Sequence, residues 1–177
     1  GGEGDEGARL GNLLLGMGIT SPVTRAGTGA MYHQELARQL ANFLRVPLGR
    51  AGGLMVLPDV YCLYNRARGT ELVSPEDVLE AARQLAPLGL GMRLRRFESG
   101  VMVVQADSFS EAATAARLSE LLGERGSVSA PELATRWGIP LAVAKELLLN
   151  AEQAGHLCRA DALRGLRFYP NLFLRAA

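Results

Sequence analysis

Apolar side chains recur at three- and four-residue steps through residues 31–45. Tyr32, Leu36, Leu40, Phe43 and Leu44 share one side there, and that period predicts a helix. Val46-Pro47 is expected to stop it, because proline lacks an amide hydrogen and crowds the preceding turn. A short apolar run at 54–57 predicts a single strand. Pro58 then opens a second helix through Val60, Cys62, Leu63 and Asn65, ending at Gly69. Ser74-Pro75-Glu76-Asp77 marks a third helix start: a capping hydroxyl, a proline suited to the first turn, and an acid at the capping-box position. Val78, Leu79, Ala82, Leu85 and Ala86 would face inward, with the end near Gly89. Residues 92–97 and 101–106 are short and β-rich around Glu98-Ser99-Gly100, which predicts a hairpin.

The pattern then repeats. Ser108 and Glu111 suit a capping box for a helix to about Arg125, with Leu118, Leu121 and Leu122 inward. Ser129 and Glu132 repeat the device for a short helix ending at Trp137-Gly138. Pro140 begins a longer helix through Val143, Leu147, Leu148 and Ala151 to Gly155. Residues 157–160 and 166–169 predict a second hairpin. Helix, short helix, longer helix and hairpin, twice over, is the order of a winged helix. The expected fold is mainly α with small β-hairpins (α+β): two tandem winged-helix domains at residues 31–107 and 108–177. Residues 1–9 read as a disordered linker. Residues 10–30 read as an extension whose Leu13, Leu14, Leu15, Met17 and Ile19 need cover from a partner or an upstream helix.

Charge changes the picture most. A winged helix suggests DNA, yet the net charge is +1, so no global field draws nucleic acid or an anionic membrane. The helices that would enter the groove are unsuitable as well. The first offers Glu76, Asp77 and Glu80 on an exposed face against Arg83; the second offers Lys145, Glu146, Asn150 and Glu152 among leucines. Basic clusters are confined to the hairpins, as Arg93, Arg95 and Arg96 and then Arg164 and Arg167. Those could touch phosphate, but they also suit solvated strand edges. DNA binding, or a transcription-associated winged helix, is kept as the alternative reading.

Catalytic patterns are missing from the sequence. His33 and His156 have no Cys, Asp or Glu at metal-ligand spacing. Gly27-Thr28-Gly29 lacks the strand and the lysine of a phosphate loop, and no serine sits in a nucleophile elbow. Cys62 and Cys158 read as buried reduced thiols. No enzyme activity, cofactor or metal is expected.

What remains points to protein contacts. Leu147, Leu148 and Leu149 cannot all enter one small core, so at least one should face a neighbouring domain or subunit. Aromatics make up 6% of the chain, yet Phe168, Tyr169 and Phe173 fall together near the C-terminus beside Arg167. Strand alternation would let one of an adjacent pair fill the core and the other meet a partner. The candidate partner-binding residues are Leu166, Phe168, Tyr169, Leu172 and Phe173, with Leu148 and Leu149.

Longer words in the sequence are distinctive. They are Leu14-Leu15-Gly16-Met17-Gly18-Ile19 with Pro22-Val23-Thr24-Arg25; Val60-Tyr61-Cys62-Leu63 with Asn65-Arg66-Ala67-Arg68-Gly69; the run from Leu72 to Asp77; Ser99-Gly100-Val101-Met102-Val103; and Gly155-His156-Leu157-Cys158-Arg159 with the run from Gly165 to Phe173. In these the chain resembles the C-terminal region of the vacuolar protein sorting-associated protein 36 family, core subunits of the ESCRT-II complex. The resemblance covers nearly everything from Leu10 onward. It departs in Ala-, Arg- and Gly-rich substitutions and in the first seven residues. It implies tandem winged helices acting as protein–protein modules in a cytoplasmic protein recruited to endosomes, with the nucleus as a further compartment. The implied partners are a second double-winged-helix core subunit and a small subunit carrying a Pro-Pro-x-Tyr segment. The implied task is sorting ubiquitinated membrane cargo into multivesicular bodies. Membrane and ubiquitin contacts are expected only through the family's GLUE domain, which these residues do not match.

Overall fold

The structure, a computed structural model, describes residues 29–163 and 165–172. The expectations for the linker, for Leu13 to Ile19, for Arg164 and for Phe173 lie outside the described residues.

The first unit opens with α1 (Gly29–Arg50), which buries Tyr32, Leu36, Leu40, Leu44 and Leu48 at four-residue intervals. The helix runs through Pro47 instead of stopping there, so the sequence expectation is corrected. Leu44 and Leu48 are buried on either side of the proline. Their packing outweighs the single backbone hydrogen bond that a proline so near the helix end forfeits. Strand β1 (Leu54–Val56) leads into α2 (Leu57–Arg68), whose end is turned by Gly69 at φ 72°. Ser74 then caps α3 (Pro75–Gln84) by accepting from the Asp77 amide. Strands β2 (Met92–Arg96) and β3 (Met102–Ala106) form the hairpin, and β1 adds to β3, giving an antiparallel sheet ordered β1-β3-β2.

The second unit repeats this plan with α4 (Glu111–Arg125), α5 (Ala130–Trp137), α6 (Leu141–Gln153) and the hairpin β4 (Leu157–Ala162) to β5 (Gly165–Pro170). An isolated bridge from Val128 to Phe168 stands where β1 stands in the first unit. The architecture is thus α+β, in two winged helices. The N-cap of α4 is Ser110, not Ser108. Phe109 is buried just before it, which delays the helix start by two residues while keeping the hydroxyl-to-N3 spacing. The Ser129–Glu132 capping box is present.

Each unit has its own core. Leu36, Leu40, Leu44, Val60, Val78, Leu85 and Val104 pack in the first; Leu118, Leu122, Leu133, Leu148 and Phe168 pack in the second. A further apolar cluster joins the units: Leu54, Phe97, Val103 and Phe109 meet Val143 and Leu147 of α6. This divides the leucine triplet. Leu147 faces the first unit, Leu148 fills the core of the second, and Leu149 is half-buried against that core.

Other expectations fail for identifiable reasons. Asp77 is buried, not part of a solvated acidic face, because His33 of α1 lies 2.9 Å from its carboxylate. Ala86 is exposed, since α3 ends at Gln84 and the chain turns away. Cys62 is exposed and Cys158 half-buried, so neither is the buried thiol expected. Cys62 lies on the side of α2 opposite Val60 and Tyr64, which enter the core.

Candidate protein-docking surfaces

Strand alternation sets what β5 can offer. Phe168 points inward at 1% exposure, while Tyr169 is 38% exposed and Leu172, just past the strand, 63%. Leu163, in the turn between β4 and β5, is fully exposed. Leu166 and Leu149 are half-buried. The structure therefore withdraws Phe168 and Leu148 from the candidate docking set. Both are completely enclosed by the second unit's own side chains, and a partner could reach neither without unfolding it. Leu163 falls between the two expected strands, 157–160 and 166–169, and was not singled out from the sequence. Its neighbourhood in the turn is what leaves it uncovered.

The hairpin is braced from beneath. Arg167 donates through Nη1 and Nη2 to the two oxygens of Glu132 at 2.8 and 3.0 Å, and through Nε to the Ser127 hydroxyl at 2.9 Å. A planar guanidinium meeting a carboxylate with two parallel bonds fixes direction as well as distance. Since Glu132 also closes the capping box, one carboxylate ties β5 to the start of α5. The Arg167 hydrogen bonds hold the Glu132 carboxyl below its ordinary value, despite an opposing push from burial. A carboxyl lowered on folding stabilises the fold above the ordinary glutamate range. That contribution is lost as pH falls through the lowered value. The midpoint of thermal unfolding is therefore expected to drop less between pH 6 and pH 3 in Arg167→Gln than in the unaltered chain, as a calorimetric pH series would show.

Most of the described arginines of the hairpins have partners, while Arg96 is exposed. Arg95 donates to Gln105 at 3.0 Å and lies over the Phe97 ring at 4.4 Å; Arg93 faces Asp107 at 3.4 Å. Arg159 is paired with Glu152. One flank of α6 is turned against the first unit, while Lys145, Asn150 and Gln153 stay exposed. Val143 and Leu147 enter the joining cluster, and Glu146 between them accepts from the Glu98 and Ser99 amides at 2.9 and 2.7 Å. Arg117 of α4 donates to the Gly52 carbonyl at 3.1 Å and lies over the Trp137 ring at 4.2 Å. Sequence reading placed Glu146 on the outward side of this helix and did not single out Arg117; their partners lie 47 and 65 residues away.

A second apolar surface lies on the first unit, a groove of about 600 Å³ walled by Leu57, Pro58, Tyr61, Val101 and Met102. Among the described residues no group of three or more His, Cys, Asp or Glu could hold a metal ion. Among them, too, no helix is long and apolar enough to cross a membrane.

Comparison with known proteins gives this architecture a context. The model of the EAP30/Vps36 family matches residues 3–161. Vacuolar protein-sorting-associated protein 36 of Homo sapiens is 52% identical over 172 residues, 96% of this chain. The proteins of the same name from Drosophila melanogaster and Dictyostelium discoideum are 45% and 38% identical over 96% and 92% of the chain. The chain spans 45% of the length of the human relative. Among solved structures, a chain of "Structure of the ESCRT-II endosomal trafficking complex" shares the fold. It has a TM-score of 0.55 at 22% identity, covering 80% of this chain and 91% of that one. With the family model and relatives from vertebrate, insect and amoeba all matching along almost its whole length, the chain belongs to the EAP30/Vps36 family.

Proposed function

We propose that this chain is a non-enzymatic scaffold region of an ESCRT-II subunit, assembling through winged-helix surfaces to sort ubiquitinated membrane cargo into multivesicular bodies at endosomes. The observation that carries the reading is the state of α6. In a DNA reader its outer face would be open and basic; here one flank is covered by the first unit through Val143, Leu147 and Glu146, and the exposed remainder offers Lys145 as its one cation, beside Asn150 and Gln153. Family membership and relatives named for vacuolar protein sorting support the sorting role, and the fold shared with a chain of the ESCRT-II endosomal trafficking complex supports the complex and its endosomal setting. The proposed partners are a second double-winged-helix core subunit and a small subunit with a Pro-Pro-x-Tyr segment.

Of the residues first picked out, Tyr169, Leu172, Leu166 and Leu149 keep exposure enough to meet a partner, joined by Leu163. Phe173 follows Leu172 directly in sequence and belongs to the same proposal. Phosphoinositide and ubiquitin binding, which the family's GLUE domain carries, are not assigned to these residues. The test is to mix the chain with the other two ESCRT-II subunits and weigh the product by light scattering. A stoichiometric complex is expected. Tyr169→Ala and Leu172→Ala are each expected to weaken it by about tenfold or more, as central apolar anchors do. Absence of any complex overturns the reading; full affinity in both variants moves the docking surface elsewhere.

A further inference from the structure

We infer that Glu146 is a positioning residue that latches the two winged helices into one rigid arm. The turn of the first hairpin presents two consecutive backbone amides, Glu98 N–H and Ser99 N–H, beyond the last strand pair. Successive amides pointing the same way form an anion-binding concavity. The anion that fills it comes from the other unit: Oε2 of Glu146 accepts from Glu98 at 2.9 Å and Oε1 accepts from Ser99 at 2.7 Å. Both carboxylate oxygens are used, one per amide.

The apolar residues around Glu146 make the latch selective for one geometry. Val143 precedes it by three residues and Leu147 follows it, and both are buried among Leu54, Phe97, Val103 and Phe109. The carboxylate reaches the turn only when α6 is seated in that cluster. An apolar cluster by itself tolerates sliding, because the hydrophobic effect is non-directional. Hydrogen bonds to two fixed amides do not. Arg117 gives a second directional contact from a different helix, to the Gly52 carbonyl and the Trp137 ring. Two such contacts on different helices oppose rotation about the connection at 107–110.

The charges around Glu146 keep the latch closed near neutrality. Burial pushes its carboxyl up, but the Ser99 and Glu98 amides, the Ser99 hydroxyl and Arg95 of β2 together hold it below the ordinary value. The other charged groups close by are Glu98 on the turn, Lys145 beside Glu146 on α6, and Glu111 of α4, which shares a pocket with Arg95 and His156. Because folding lowers this carboxyl, the latch contributes above the ordinary glutamate range and opens only in stronger acid. It is a permanent joint, not a switch.

The test uses the 177-residue chain and residual dipolar couplings, which report whether two bodies share one alignment. A single alignment tensor is expected for both units. In E146Q one oxygen becomes an NH₂ that opposes a turn N–H. The two units are then expected to need separate tensors, and the Glu98 and Ser99 amides to exchange about tenfold or more faster. E152Q, on the same helix but paired with Arg159, controls for loss of helix charge and is expected to keep one tensor. A common tensor with unchanged amide protection in E146Q overturns the latch. Separate tensors in the unaltered chain overturn the rigid arm itself.

Discussion

Replacing Phe168 with alanine is expected to lower stability by about 3–5 kcal/mol, the usual cost of emptying an aromatic core site. The same change at Tyr169 is expected to alter it by less than about 1 kcal/mol. The two residues are adjacent, aromatic and on one strand, so the contrast isolates facing. Phe168 lies among Leu118, Leu122, Leu133 and Leu148, and its backbone exchanges hydrogen bonds with Val128 in both directions, at 2.8 and 3.0 Å. Removing its ring leaves a cavity beneath the hairpin that those leucines fill only in part. Tyr169 loses only a half-exposed ring, on the face where β4 offers Cys158. Urea unfolding followed by circular dichroism measures both. A reversed contrast, with the larger loss at Tyr169, would mean that the strand is turned over, since a slip of one residue exchanges the two faces. The comparison also guards the partner experiment. A binding defect in Phe168→Ala would report unfolding, whereas one in Tyr169→Ala would report a lost contact.

Asn65→Ala is expected to cost about 2–4 kcal/mol, far more than truncating a surface asparagine. Asn65 is buried near the end of α2, where its Nδ2 donates to the Val73 carbonyl at 2.9 Å and its Oδ1 accepts from the Val73 amide at 2.8 Å. One side chain thus completes both backbone groups of a buried residue in the connection between α2 and α3. Alanine leaves a buried donor and a buried acceptor unpaired at once. Asn65→Asp should rescue little, because it keeps the acceptor but sets a carboxylate against the Val73 carbonyl. Thermal unfolding distinguishes the cases. A loss below about 1 kcal/mol in Asn65→Ala would show that water replaces the amide and that the segment is not held as described.

Much of the fold is legible in the sequence because its signals are local. Leucines at helical spacing, Ser74 and Ser129 at helix starts, and glycines at helix ends each act within a few residues. Both hairpins announce themselves by β-rich runs around a turn. What escapes is set by distant partners. Pro47 reads as a stop, but the burial of Leu48 carries the helix past it. Asp77 reads as solvated until α1 brings His33 across 44 residues. The leucine triplet shows that one small core cannot hold all its members, yet only the docked first unit decides that Leu147 is the one to leave. For the docking surface, alternation reveals that Phe168 and Tyr169 differ without revealing which is inside. That phase comes from the Val128 bridge, a single residue pair with no sequence signature.

The joint between the units also contains the chain's one tryptophan. Trp137 closes α5, touches both the second core and the joining cluster, and lies under the Arg117 guanidinium. Indole emission depends on the polarity around the ring and on nearby charge. The indole emission of this chain therefore originates at the seam between its halves, with no label to attach. Parting of the two units in denaturant is written in the colour of a single residue.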